Sequence, residues 1–470
     1  MKMNNEFNFL EARVEWDERH AALLKDFLDG LVFHGIRYVI LKNDDGLPYE
    51  NHSKDVDIVI EPSRYRDSAR IIQSCYQKHG VSHYKVHKFE RLRCWYGMNP
   101  DTRFAIHIDL LEGFLHKGFE MFPFDVLYAH SQKNDNGIQV LDDLMGNVVL
   151  LLHSTICYHS IKEKYAKSIA KTFQTEKDDF AVLLKNILGV SAANEMVTLL
   201  AAGRYKEIAK KGKHFSHQSK FRLLIKRPLF SIYNVADFLW EKVCRLLLNL
   251  NRYNTMISVH APDGTGKTTF IEHFGNELGF YYVCAANDLL DTYHFRPNIL
   301  PNLGAAGEKV GVMKQDKDFT NPHRAKPAGK LSSLLRMAYY WLDYVVGVPL
   351  ILRKNAQFDK ITIFDRYIYD FISDPERTRI NLPFRLRMMF AKLTKKPDIV
   401  FILEADAETI HKRKQELTID EINHQLKSLH RLAVSGKYFH ILDAMKTPEE
   451  IAKDLSLIHI SEPTRQAEIS

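Results

Sequence analysis

The stretch VHAPDGTGKTT, residues 259–269, decides the fold of the second half of the chain. A short apolar run, residues 256–259, precedes the glycines, and a helical pattern begins at Thr268. This order of strand, glycine loop and helix is typical of a P-loop, because glycines let backbone N–H groups turn toward phosphates and the helix N-terminus adds partial positive charge. The usual pattern opens with glycine where this chain has Ala261. A chance glycine turn before a helix is the alternative.

The residue types of this loop predict that the chain binds ATP and Mg²⁺. We expect Lys267 to reach the β- and γ-phosphates and the Thr268 hydroxyl to bind Mg²⁺. The predicted nucleotide-binding residues are therefore Asp263, Gly264, Thr265, Gly266, Lys267, Thr268 and Thr269.

Apolar runs alternate with helical stretches after the loop, which predicts a parallel sheet with helices on both faces. The strand candidates are residues 280–283, 361–364, 398–403 and 438–442. Asp365 and Arg366 follow the second of these, where ligands of such sheets bind. We predict that Asp365 supports Mg²⁺ and that Arg366 orients the acceptor, so that Lys267, Asp365 and Arg366 form the catalytic set. A structural salt bridge between the Asp and the Arg is the alternative.

Basic residues form a further cluster at residues 411–414, His-Lys-Arg-Lys. One interpretation is a mobile lid that closes over the phosphates and excludes water. The other is a charged helix that faces solvent.

A group of carboxylates lies in the first third of the chain. Residues 55–60, DVDIVI, alternate in polarity, so that Asp55 and Asp57 share one face of a strand. Asp109 lies in another strand candidate, residues 104–111. Two aspartates from one strand and one from its neighbour are able to hold two Mg²⁺ ions around a triphosphate. We therefore predict Asp55, Asp57 and Asp109 as metal ligands, with solvent-facing aspartates as the alternative.

Size and composition limit the number of domains, the class of ligand and the cellular compartment. The chain has 470 residues, enough for two or three domains, with 45% hydrophobic and 26% charged residues. A net charge of +7 suits anionic ligands such as nucleotides but does not indicate nucleic acid. Five scattered cysteines without Cys-x-x-Cys spacing argue against a disulfide framework or a zinc site and fit a reducing cytoplasm, and no apolar run is long enough for a transmembrane segment.

The middle of the chain, residues 141–250, reads as helices with few strand signals. Residues 204–227 contain nine Lys/Arg and a single Glu, which indicates a solvated basic face or a contact with an anionic membrane or nucleic acid. Residues 236–250 form an amphipathic pattern with Trp240 on its apolar face. We expect this helix to pack between domains, and membrane-surface docking is the alternative.

The segment around residues 20–130 resembles the nucleotidyltransferase superfamily. The matching residues are Leu41-Lys42, the Asp55-x-Asp57 strand and Asp109. The resemblance implies an α+β domain that binds a metal-bound triphosphate. That family has Gly-Ser or Gly-Gly after its first strand, whereas this chain has Lys42-Asn43. The sequence therefore leaves open whether the module is catalytic or keeps only the fold.

Residues 255–454 resemble the thymidylate kinase family of P-loop kinases, of the type found near bacterial surface-polysaccharide genes. The resemblance implies a phosphotransferase that uses ATP and Mg²⁺. The thymine-reading residues of that family are not identifiable here, and an insertion at residues 294–330 offers Arg296, His323, Arg324 and Lys326 to another anionic acceptor. The motifs that carry the resemblance are residues 263–269, 294–297, 321–327, 364–367, 396–400 and 404–406, with Asp370, Asp374 and Arg377.

The final residues, 455–470, do not resemble the end of this fold. They look like the translation of a sequencing adapter, so we expect the natural chain to run only to about Asp454. The predicted organisation is a nucleotidyltransferase-like domain at 1–140, a helical region and linker at 141–252, a thymidylate kinase-like P-loop domain at 253–454, and an artefact tail at 455–470.

The predicted function is a cytoplasmic ATP- and Mg²⁺-dependent kinase whose partners are a nucleotide and an anionic small-molecule acceptor. The sequence is compatible with a homodimer. Two rivals remain open. One is a nucleotide-binding regulatory or assembly protein of surface-polysaccharide synthesis. The other is a bifunctional nucleotidyltransferase and kinase.

Overall fold

The computed structural model describes residues 7–10, 14–248, 255–301, 329–434, 436, 438–447 and 450. The chain divides into two compact units. The N-terminal unit is described over residues 14–241 and includes 281–283, and the C-terminal unit takes the described residues from 242 onward together with 7–10. Several expectations fall outside the described residues, namely His323, Arg324, Lys326, the boundary near Arg252 and the tail at 455–470.

The N-terminal unit contains a mixed seven-stranded sheet of order β3-β4-β5-β2-β1-β9-β8 and a hairpin, β6-β7. Its strands are β1 (Tyr38–Ile40), β2 (Val56–Ile60), β3 (His83–Phe89), β4 (Leu92–Asn99), β5 (Phe104–Leu111), β6 (Gly113–His116), β7 (Phe119–Pro123), β8 (Ser131–Lys133) and β9 (Gln139–Leu141). Its helices are α1 (Glu18–Phe33), α2 (Tyr65–Lys78), α3 (Phe124–Ala129), α4 (Asp143–Leu152), α5 (Glu163–Thr175), α6 (Lys177–Leu188), α7 (Val190–Ala201), α8 (Tyr205–Lys210), α9 (Gly212–Lys226) and α10 (Pro228–Val243).

Local sequence explains how this unit positions its carboxylates. Asp17 caps α1 by accepting hydrogen bonds from the backbone N–H groups of Arg19 and His20. Every residue of β2 is buried, and its parallel pairing with β5 places Asp57 beside Asp109. Burial on both sides fits the near-continuous apolar character of β2, and it forces the two aspartates into the interior.

Helix α10 is oriented with its polar side inward. Ser231 and Asn234 are buried, and Val235 lies against Gly118. The apolar side faces outward, with Leu229 83% and Trp240 61% exposed. We call this surface the outer face of α10; it consists of Leu229, Ile232, Tyr233, Ala236, Leu239 and Trp240. Their spacing of three and four residues forms one stripe along the helix.

The C-terminal unit contains a five-stranded parallel sheet of order β11-β12-β10-β13-β14. Its strands are β10 (Met256–His260), β11 (Leu290–His294), β12 (Ile361–Asp365), β13 (Ile399–Glu404) and β14 (Phe439–Asp443). Its helices are α11 (Lys267–Tyr281), α12 (Ala286–Leu289), α13 (Lys330–Ala356), α14 (Asp370–Ser373), α15 (Phe384–Lys392), α16 (Ala407–Arg413) and α17 (Ile419–Ala433). The predicted all-parallel sheet is confirmed.

One predicted strand, residues 280–283, is wrong. Phe280 and Tyr281 complete α11, and Val283 adopts a left-handed backbone with φ of 49° that no strand accommodates. The second strand of the sheet in chain order is β11. Its buried polar residues Asp291 and Thr292 interrupt the apolar run by which a strand is predicted. Asp291 is compensated by Lys360, whose Nζ lies 3.5 Å from Oδ1.

Among the residues that the structure describes, no helix combines the length and the apolar character that a membrane crossing requires.

Candidate functional site

The glycine loop follows β10 at the point where the order of the parallel sheet reverses. Strands β12 and β13 flank β10 on opposite sides, so their connections leave a crevice at the carboxyl end of β10. Gly264 and Gly266 have φ of 91° and 104°, a left-handed conformation that glycine adopts without strain. A Cβ on Gly266 would meet no described atom within 4 Å, so this side of the loop is an open cradle.

Lys267 begins α11 and folds back over the loop. Its Nζ donates hydrogen bonds to Ala261 O at 3.0 Å and Pro262 O at 3.1 Å, and it lies 3.5 Å from Asp263 Oδ1. Burial and the nearby charge of Arg366 lower the pKa of Lys267 to about 8. Thr268 and Thr269, by contrast, are exposed at the helix start. The loop therefore holds an ammonium group and hydroxyls at one helix N-terminus, a suitable arrangement for phosphates and Mg²⁺.

Asp365 ends β12 directly beside this loop. In the parallel register, Val259 pairs with Asp365. Asp365 Oδ2 lies 3.0 Å from His294 Nδ1, whereas the buried Oδ1 has no hydrogen-bond partner among the described residues. Burial opposes ionisation, but the hydrogen bond from His294 and the charge of Lys267 lower the pKa of Asp365. An ionised carboxylate with one unsatisfied oxygen fits a divalent cation.

Arg366 does not point an unengaged guanidinium at an acceptor. It is 2% exposed, and its Nη1 donates to Asp370 Oδ2 at 2.6 Å and its Nη2 to Asp263 Oδ1 at 2.5 Å. Asp370 also faces His260 Nδ1 at 3.2 Å. The sequence left a structural salt bridge between Asp365 and Arg366 as an alternative, whereas the structure pairs the guanidinium with Asp263 and Asp370.

Arg377 is a second cation of this network. Its Nη1 donates to Asp263 Oδ2 at 3.0 Å, so Asp263 bridges Arg366 and Arg377. Burial raises the pKa of Asp263, but the charges of Arg366, Lys267 and Arg377 outweigh this effect and hold the pKa far below its usual range. Sequence reasoning named Asp370 and Arg377 only through the family resemblance. Arg377 meets Asp263 114 residues earlier and Asp370 meets His260 110 residues earlier, and only the pair of Asp370 with Arg366 is local in sequence.

The described part of the insertion is held by contacts with α13. Arg296 is buried, its Nη1 lies 3.3 Å from Asp343 Oδ2, and its guanidinium lies over the ring of Tyr340. Asp343 additionally accepts hydrogen bonds from the backbone N–H groups of Ile299 at 2.9 Å and Leu300 at 2.8 Å. Arg296 therefore anchors this segment to α13, and its charge is already paired before any acceptor binds.

The basic residues at 411–414 extend from the end of α16 toward the loop. A Cβ built on Gly264 would lie 2.9 Å from Lys414 Cβ and 3.1 Å from Ile410 O. Lys412, Arg413 and Lys414 are exposed. The structure thus places Lys414, the last residue of the cluster, beside the phosphate loop.

The N-terminal unit brings its three predicted carboxylates together. One oxygen each of Asp55, Asp57 and Asp109 lies within 4.8 Å of the others. Lys42 Nζ lies 3.1 Å from Asp57 Oδ2. Burial raises the pKa of Asp57, and the charges of Asp55 and Asp109 add to this effect, while Lys42 opposes it. Such crowding of carboxylates fits a bound divalent cation.

Comparisons with known proteins show likeness to solved structures alone. No protein-family model matches the chain, and no curated protein does. The crystal structure of thymidylate kinase from Ehrlichia chaffeensis matches with 18% identity and a TM-score of 0.28, over 44% of this chain and 98% of that chain. A TM-score of this size supports no conclusion about activity, so the functional argument depends on the geometry of the sites themselves.

Proposed function

We propose that the C-terminal unit is an ATP- and Mg²⁺-dependent phosphotransferase of the thymidylate kinase type. The observation that carries the proposal is the pairing of an open glycine cradle at Gly266 with Asp365, whose buried Oδ1 has no described partner. Lys267 and Thr268, the first two residues of α11, complete the proposed set of four residues. Phosphoryl transfer asks a protein mainly to position its reactants and to neutralise charge, and these four residues suit both tasks.

Each residue has a defined role in this proposal. The backbone N–H groups of residues 263–268 and the ammonium of Lys267 hold the donor phosphates. Thr268 and Asp365 hold Mg²⁺, which would neutralise charge on the phosphates when bound. Arg366 acts indirectly, because its fork onto Asp263 and Asp370 fixes the loop and α14 together. The proposed catalytic contacts are therefore those of Lys267 and Asp365, with Arg366 as a positioning residue.

The acceptor is an anionic small molecule in this proposal. Lys414 lies beside the phosphate loop, Lys412 and Arg413 precede it as exposed cations, and together they would attract a charged substrate. A nucleoside monophosphate is the first candidate.

ATP consumption by the purified chain tests the proposal. ADP formation should depend on dTMP or another nucleoside monophosphate, and Lys267→Ala should abolish it in a protein that remains folded. Lys392→Ala, at an exposed lysine of α15, is the matched control and should retain turnover. Full activity in the Lys267 variant would refute the assigned role. Tight Mg·ATP binding without any phosphorylated acceptor would favour the rival regulatory or assembly function.

A second function is favoured by the carboxylates of the N-terminal unit. Asp57 and Asp109 pair directly across β2 and β5, and Asp55 lies within ligand distance of both. We propose metal-assisted nucleotidyl transfer there, which would make the chain bifunctional. Pyrophosphate release from a nucleoside triphosphate should disappear in Asp57→Asn and persist in Asp67→Asn, an aspartate of α2. Absence of release with every triphosphate would leave a fold without this activity.

A further inference from the structure

A second group of metal-binding side chains adjoins the three carboxylates. Cys94 of β4 pairs directly with Asp109 of β5, and His107 precedes Asp109 by two residues. Strand periodicity therefore places all three side chains on one face of the sheet. One ligand atom from each lies within 4.8 Å of the other two.

The imidazole of His107 is held in place from two sides. Its Nε2 lies 2.8 Å from Asp109 Oδ1, and the ring of Tyr96 stacks on it with centroids 4.2 Å apart. A cation bound through Nε2 would replace this hydrogen bond, with the ring proton on Nδ1, and the stacked ring of Tyr96 would still limit the motion of the imidazole. His107 is also largely buried, so a cation at this position would be shielded from bulk water.

We propose that Cys94, His107 and Asp109 bind a thiophilic divalent cation such as Zn²⁺. Thiolate and imidazole ligands favour Zn²⁺ over Mg²⁺, whereas Asp55 and Asp57 offer only the oxygen ligands that Mg²⁺ prefers. The two carboxylate oxygens of Asp109 allow it to serve both groups. Three protein ligands leave one tetrahedral position open for water or a substrate. The Cys94 thiol releases its proton to solvent when the cation binds.

Cobalt substitution tests this site in the full chain. The metal-free protein should take up one Co²⁺ with a near-ultraviolet band from thiolate-to-cobalt charge transfer, and Zn²⁺ should displace it. Cys94→Ser should lose the band. Cys157→Ser should keep it, although that thiol also lies near an imidazole, that of His116. Asp55→Asn should keep it as well, because Asp55 belongs only to the group of oxygen ligands.

Zinc X-ray absorption of the wild-type chain provides a test that does not depend on the folding of a variant. We expect one sulfur ligand at about 2.3 Å together with nitrogen and oxygen ligands. A spectrum without sulfur, or a charge-transfer band that survives in Cys94→Ser, would overturn the proposal.

The outer face of α10 carries a second, independent inference. Helices α9 and α10, residues 212–243, contain six Lys/Arg and only two acidic residues, Asp237 and Glu241. Helix α9 also exposes apolar Phe221 and Ile225, and the exposed Arg222 and Lys226 follow them directly in the sequence. We infer that α9 and α10 dock on an anionic lipid bilayer. Apolar side chains would enter the interface while the cations meet lipid phosphates, and Trp240 and Tyr233 are residue types that prefer this boundary.

Vesicle sedimentation of the full chain tests this inference. The protein should bind vesicles of phosphatidylcholine with phosphatidylglycerol, bind pure phosphatidylcholine weakly, and dissociate as salt increases. Leu229→Glu and Trp240→Glu should abolish binding. Val182→Glu, at an exposed apolar position of α6, is the matched control and should retain it. Absence of binding, or a dimer that the same two variants dissociate, would overturn the inference.

Discussion

Replacement of Arg366 by glutamine is the most informative change to the C-terminal unit. The substitution keeps a polar side chain of similar length but removes the charge that Asp263 and Asp370 share. It also leaves the backbone hydrogen bond from Arg366 N to Val259 O available. The expected result separates a structural role of the guanidinium from a direct role in binding the acceptor.

The contacts of Arg366 set the size of the effect. Asp370 is 2% exposed and would keep the hydrogen bond with His260 but lose its ion pair, whereas Asp263 would retain Arg377 and Lys267. Removal of one partner from a buried ion pair costs about 3–5 kcal/mol, because the remaining charge stays buried without compensation. We therefore expect Arg366→Gln to lower the free energy of unfolding of the C-terminal unit by about 3–5 kcal/mol at pH 7.

Hydrogen-exchange mass spectrometry in increasing urea measures this quantity for each unit separately. The loss should appear in peptides of β12 and β13 and be absent from β2 and β5. Arg413→Gln, at an exposed arginine, should change the free energy of unfolding by less than about 0.5 kcal/mol. A loss below about 1 kcal/mol in Arg366→Gln would refute our reasoning, because no such buried pair then exists. It would return Arg366 to the role of an acceptor-binding residue.

Two further predictions concern the phosphate loop and the carboxylates that pair with Arg366. Gly266→Ala should weaken ATP binding measured by calorimetry, because its Cβ would occupy the open cradle at a φ of 104°, with a backbone strain of about 1–2 kcal/mol. Stability should also depend on pH. The pKa values of Asp263 and Asp370 are lowered by Arg366 against the opposing effect of burial. Their contribution is therefore complete above the unfolded-state pKa of about 4 and is lost as pH falls further. Urea midpoints of the C-terminal unit should fall between pH 5 and pH 3 by more in the wild type than in Arg366→Gln.

The glycine loop was predictable because its signal is local. Eleven consecutive residues contain the strand end, the two glycines with left-handed backbones, the lysine and the helix start. Strands β12, β13 and β14 were predictable for the same reason, since each is a short apolar run. The proximity of Asp55, Asp57 and Asp109 followed from strand periodicity and a parallel register.

Features that depend on distant partners were not predictable. Strand β11 reads as polar because Asp291 is compensated by Lys360, which follows it by sixty-nine residues. The role of Arg366 depends on Asp263, which lies 103 residues earlier, and no local pattern identifies which carboxylate a buried guanidinium will meet. The scattered cysteines gave no local signal of a metal site, because only the β4–β5 register brings Cys94 beside His107 and Asp109.

The close contact between Gly264 and Lys414 has a mechanical consequence. The space at Gly264 admits nothing larger than a hydrogen atom, because a Cβ there would collide with Lys414 Cβ. The turn after α16 therefore packs tightly against the phosphate loop. The phosphate loop is therefore supported by Ile410 and Lys414, which follow it far along the chain. A fragment ending at β13 would contain every residue of the loop and still lack this support. We expect such a fragment to hold the loop's shape less rigidly than the whole chain does.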